Sequence, residues 1–146
     1  MDYIKPYDDG AWGDYSRYWP YLETVVERFP PGLASFALDE ANYNLTDPNS
    51  LHDAWMEVFV LQQAAAAPNR WEISLRLFSP RHDRHISLRY TDVSRYELSG
   101  RSAQQDVLVH EIRFVRDDVY AHQFLFADGS SMLIEFSGFE HTVELQ

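Results

Sequence analysis

Trp71-Glu72-Ile73-Ser74-Leu75-Arg76-Leu77 and Ile86-Ser87-Leu88-Arg89-Tyr90-Thr91 decide the fold. In each run an apolar residue alternates with a polar one. That period of two belongs to an extended strand with one dry face and one wet face. Pro80 to Arg84 lies between the runs and reads as the turn of an antiparallel hairpin.

The same reading extends outward. An earlier strand covers 55–61 and a short one 94–98, closed by Ser99-Gly100. Strands at 106–115 and 119–126 flank Arg116-Asp117-Asp118. Asp128-Gly129 joins the second of these to 131–136. It predicts a type I′ turn, whose two central positions both need positive φ. Residues 143–145 form a candidate edge strand that could pair across a two-fold in a homodimer.

The front of the chain differs. Tyr18, Leu22, Val25 and Val26 recur at helical spacing, with Asp14 as a possible cap or Pro20 as the start. Phe29-Pro30-Pro31-Gly32 stops that helix. A second helix is expected from Leu33 to Asn42, turning Leu33, Phe36 and Ala37 or Leu38 inward, followed by a loop from Asn44 to Ser50. The expected architecture is one α+β domain over 1–146. An aromatic, acidic arm with one or two helices (1–50) packs on a meandering antiparallel sheet of six or seven strands (51–146). The sheet's other face carries Glu72, Arg76, Arg89 and Glu135, wholly or partly wet.

The 146 residues carry no cysteine, which removes disulfides, thiolate metal sites and cysteine nucleophiles. Met1 to Pro6 opens acidic without an apolar stretch, so no signal peptide is expected. No run is apolar for long enough to span a bilayer, which points to the cytoplasm. The net charge is −11: −8 over residues 1–60 and −3 over the rest. Such a field repels phosphates and anionic lipid heads, so neither nucleic acid nor membrane is expected as a partner. It attracts basic surfaces, although acidity also serves plain solubility.

Four constellations carry possible chemistry. His52-Asp53 pairs a base with an orienting acid, but neighbours on a strand point to opposite faces, so one side chain tying down backbone is the alternative. Arg81-His82-Asp83-Arg84-His85 has metal-ligand residue types, yet a turn splays its side chains and two arginines repel a cation. His110 alternates with Leu108, Ile112 and Phe114, and His122 with Tyr120, Phe124 and Phe126. Pairing through the Arg116–Asp118 turn sets the two histidines one diagonal step apart. His110, His122 and Tyr120 are either a small-ligand or metal-binding group, of a binding domain or an enzyme, or satisfied core residues. Glu111 points to the opposite face, so no third ligand is evident.

The fourth constellation is the arm. Seven aromatics fall within the first 21 residues, among four aspartates. Tyr3, Tyr7, Asp8, Asp9, Trp12 and Asp14 are the candidate partner-binding residues, because aromatics anchor interfaces and acids select a basic partner. The alternative is an arm that completes the core. No phosphate-cradling loop, nucleophile elbow, zinc-helix motif or calcium loop is present, so no catalytic residue, resident metal or cofactor is assigned.

Leu51-His52-Asp53-Ala54, set before a strand and after a short helical lead, resembles small acidic bacterial proteins. Some of these are similar to immunity proteins of polymorphic toxin systems. The resemblance implies a cytoplasmic, non-enzymatic inhibitor that covers a toxin, and carries over no catalytic residue. The expected function is a non-catalytic protein-binding module, with the histidine site as the alternative.

Overall fold

The computed structural model describes residues 1–7, 13–100 and 106–146. Asp8, Asp9 and Trp12 lie outside the described residues.

The elements run β1 (Lys5–Pro6), β2 (Gly13–Asp14), α1 (Tyr18–Val25), α2 (Pro31–Leu38), β3 (Trp55–Ala64), β4 (Ala67–Phe78), β5 (Arg84–Thr91), β6 (Arg95–Ser99), β7 (Val107–Arg116), β8 (Val119–Phe126), β9 (Ser131–Phe136) and β10 (Gly138–Leu145). Short 3-10 turns follow both helices, at Val26–Arg28 and Glu40–Asn42. The fold is α+β with antiparallel pairing throughout.

The expected single sheet is divided. One four-stranded sheet has the order β10-β5-β4-β3, the other β6-β9-β8-β7, and β1 with β2 makes a small separate ribbon. The division arises at one corner. β5 and β10 pair as far as Thr91 opposite Gly138, and β6 and β9 resume pairing at Arg95 opposite Glu135. Between them the strands switch sheets, Asp92 adopting φ 50° and Ser137 donating its N–H to the Thr91 carbonyl. A bend that carries strands from one layer to the next is how a sheet turns a corner. Gly138 is required there by close approach, since a Cβ at that position would lie 2.0 Å from Thr91 Oγ1. An isolated bridge from Trp55 to Asp106 ties β3 to the start of β7.

The alternation read from the sequence gives the dry face. Ile73, Leu75 and Leu77 stand beside Tyr90, Leu88 and Ile86 across the β4–β5 ladder, and all six are buried. Tyr90 meets Phe136 of the other sheet with ring centroids 4.9 Å apart, so the two inner faces enclose one core. The polar residues face out. Arg89 pairs with Glu72 at 2.8 Å and Glu140 at 3.3 Å, Arg76 with Glu57 at 3.3 Å, and Arg95 with Glu135 at 3.4 Å.

The helices close the side between β7 and β10. α1 starts at Tyr18, with Pro20 in its first turn, where no intrahelical partner for its nitrogen is needed. Asp14 does not cap it; the carboxylate accepts from Ser16 N–H instead. α2 buries Leu33, Phe36 and Ala37, while Leu38 is exposed. The Asp128-Gly129 connection is also not type I′: only Gly129 has positive φ, and Asp128 accepts from the N–H and hydroxyl of Ser130. The edge strand expected at 143–145 runs the whole of Gly138–Leu145.

Candidate functional site

The diagonal placed on His110 and His122 is present. β7 and β8 pair His110 with Phe124 and Ile112 with His122, and the two rings meet with His110 Nδ1 3.0 Å from His122 Nε2. Both side chains are buried. Tyr90 adds its hydroxyl 2.8 Å from His122 Nδ1, and the Asn42 carbonyl lies 3.0 Å from His110 Nε2.

These four groups form a chain with one allowed direction. A carbonyl only accepts, so His110 Nε2 carries hydrogen and donates to Asn42. Burial holds the His110 imidazole down to about 4 against the weaker opposing pull of that carbonyl, so the ring is neutral and its Nδ1 accepts. His122 Nε2 therefore donates, and His122 Nδ1 accepts from Tyr90. Burial, then the neighbouring His110 and Arg113, holds His122 well below the ordinary imidazole value, and burial pushes the Tyr90 hydroxyl well up. Phe36 packs against both histidines, and Tyr43 stacks on His110 at 4.5 Å. All four ring nitrogens are occupied. Tyr120 is held elsewhere, with its hydroxyl donating to the Arg28 carbonyl and its ring against Phe29. Among the described residues, no group of three or more histidine, aspartate and glutamate side chains is arranged to hold a metal.

His52 and Asp53 do approach, with Nε2 3.5 Å from Oδ1. The strand-parity argument fails here because Asp53 takes φ 61° in a turn. His52 Nδ1 donates to the Leu108 carbonyl at 2.6 Å, so the ring ties the turn to the chain at the start of β7. In the 81–85 turn the side chains diverge. His82 packs on Trp55 and Phe78, Arg84 clamps Asp83 through two hydrogen bonds, and His85 reaches Glu57. That clamp holds the Asp83 carboxyl down to about 2.

The arm mostly completes the core. Tyr3 stacks on Tyr21 at 3.8 Å, and Tyr15 and Trp19 pack against Tyr43. The anchor is Glu111, a fully buried carboxylate that accepts the backbone N–H groups of Asp2, Tyr3 and Ile4 at 2.8, 3.2 and 2.9 Å. Arg113 supplies the compensating charge at 2.5 Å and also pairs with Asp2. Of the candidate arm residues described, Tyr7 is 53% exposed, whereas Tyr3 and Asp14 are part-buried.

Opposite the helices the two sheets stand open. By strand parity Trp71 on β4 and Tyr96 and Leu98 on β6 point inward, since Tyr96 and Leu98 pair with buried Ile134 and Met132. Yet they are 42%, 44% and 60% exposed. Two clefts run along this mouth between β3 and β6. One of about 270 Å3 is bordered by Met56, Phe59 and Leu98; the other, of about 340 Å3, by Leu61, Trp71 and Tyr96. Sequence reading missed this face, because alternation tells which side of a strand is apolar and not whether a partner sheet reaches it.

No helix among the described residues is long and apolar enough to cross a membrane. Comparison with protein-family models, curated proteins and solved structures finds no match for the chain.

Proposed function

We propose that the protein is a non-catalytic protein-binding module of the cytoplasm, an immunity-type inhibitor that covers a basic partner. The observation that carries this reading is the open mouth, where inward-facing Trp71, Tyr96 and Leu98 remain exposed on a chain of net charge −11. Contiguous exposed apolar and aromatic surface marks interaction sites, and aromatic anchors dominate their energetics. The net negative charge of the chain favours a basic partner and speeds its approach. The His110–His122 pair supports a structural role better than a ligand site, because its nitrogens are spent on one another and on Asn42 and Tyr90.

Affinity capture from the native host, with wild type beside a Tyr96→Ser/Leu98→Ser variant, tests the proposal. The expected result is a partner of net positive charge that the variant loses and whose association slows as salt rises. Partners that are acidic, insensitive to salt, or retained equally by the variant would sink it.

A further inference from the structure

A cleft of about 260 Å3 lies on the other edge of the β10-β5-β4-β3 sheet, between α2 and β10. Gly32, Ser35, Phe36 and Asp39 line it from the helix and its end, Phe139 and His141 from the strand, and Asn42 from the 3-10 turn. Two polar atoms there are buried without a hydrogen-bond partner: Asn42 Oδ1 and His141 Nε2. Asn42 is 1% exposed, and its amide orientation is set by Nδ2 donating to the Phe36 carbonyl at 2.8 Å, so the oxygen is the orphan. A buried acceptor left unpaired costs about 1–3 kcal/mol, so a hydrogen-bond donor entering the cleft relieves that cost.

The chemistry of the lining specifies that occupant. Asn42 Oδ1 can only accept. Neutral His141 accepts at Nε2 when Nδ1 carries the hydrogen. The Asp39 carboxylate lies just beyond the end of α2, where the helix presents its negative pole; its Oδ1 accepts the Ala41 N–H at 3.0 Å, which leaves Oδ2 for a ligand. Glu140 also borders the cleft, but it is engaged with Arg89. The Phe36 and Phe139 rings, 5.0 Å apart and inclined at 55°, pack on each other and form the apolar wall of the cleft. Among the described residues, no lysine or arginine lines the cleft. The volume suits a side-chain-sized group rather than a drug-sized ligand. Gly32, in the helix's first turn, keeps the space open: a Cβ there would meet only the Phe139 carbonyl, at 3.6 Å.

We infer that this cleft binds a guanidinium group, with Asn42 Oδ1, His141 Nε2 and Asp39 receiving its N–H donors. The group is either a free small molecule or an arginine side chain of a protein. The inference does not depend on the mouth, which lies at the opposite sheet edge.

The test titrates N-acetyl-arginine methylamide into the isotope-labelled full chain while following the His141 ring and Asn42 amide resonances. N-acetyl-citrulline methylamide, its uncharged isostere, is the control. Saturable shifts at both residues, at least tenfold weaker with the citrulline compound, are expected. Gly32→Leu should abolish them by filling the cleft. His141→Phe should weaken binding at least fivefold, and it serves if the leucine variant does not fold. A flexible peptide with a single arginine separates the sources. Binding more than tenfold tighter than the amide assigns the site to a protein side chain, and equal binding assigns it to a free guanidinium compound. Absence of saturable shifts, or equal binding of the citrulline control, overturns the inference. Tyr96→Ser/Leu98→Ser should leave this titration unchanged, so either proposal can fail alone.

Discussion

His122 Nε2 lies 3.0 Å from His110 Nδ1, and both rings are buried as neutral imidazoles. Their folded values are depressed, so the unfolded chain takes up protons that the native state refuses. Stability is therefore complete above the ordinary imidazole value of 6.5 and falls as pH drops from there toward about 4, where His110 itself protonates. Within that window each ring contributes a slope of about 1.4 kcal/mol per pH unit. His122→Gln preserves one donor and one acceptor but does not titrate. Urea midpoints taken from pH 6.5 to 5 should show a slope shallower than wild type by one ring's share, the rest coming from His110 and from His141, which burial also lowers, and an unchanged slope would refute the account.

Tyr90→Phe removes the one donor to His122 Nδ1 and leaves that acceptor buried. A loss of about 1–3 kcal/mol is expected in chemical denaturation. Nitrogen chemical shifts should place hydrogen on Nε2 of both histidines in wild type. A ring protonated on Nδ1 would contradict the direction of the chain.

Glu111→Gln replaces an acceptor-only group with one that turns a donor toward other donors. Breaking a buried charge pair costs about 3–5 kcal/mol. Hydrogen exchange should speed up at Asp2, Tyr3 and Ile4 before it does in β8 and β9. Uniform protection would show that Glu111 does not hold the arm.

Gly138→Ala forces a methyl group against Thr91 Oγ1. Overpacking of this kind costs about 1–3 kcal/mol. Thr91→Ala in the same chain should recover most of it, because the hydroxyl is the nearest clash. A double-mutant cycle with no coupling would remove the steric explanation of the corner.

Tyr96→Ser/Leu98→Ser should change stability by only about 0.5 kcal/mol per site, as exposed positions do, whereas Leu75→Ala in the core should cost about 2–5 kcal/mol. A melting point lowered as much by the surface pair as by the core variant would mean that the mouth is packed in solution.

Period-two patterning located the long strands and set His110 and His122 on neighbouring sites, since strand parity and turn position are local facts. The fate of those strands is not local. One sheet became two at the bend where Gly138 passes against Thr91, a contact between residues 47 positions apart that no window of sequence reveals. Glu111 read, by the same parity, as pointing to the face opposite His110. Its burial depends on the amides of an arm more than 100 residues away. Apolar residues on both parities of β7 (Val107, Leu108, Val109 and Ile112) were the available sign that something covers each face. Asp53 and Asp128 misled the turn arguments because the left-handed conformation fell on the former and not on the latter.

The strand pair that rounds the corner at Thr91 and Gly138 belongs to both layers at once. Neither layer can peel away alone, for β5 runs on into β6 and β9 into β10. The two sheets consequently have no seam between them along which to come apart in stages. Loosening at either end travels through the shared ribbon, and melting should proceed as one event.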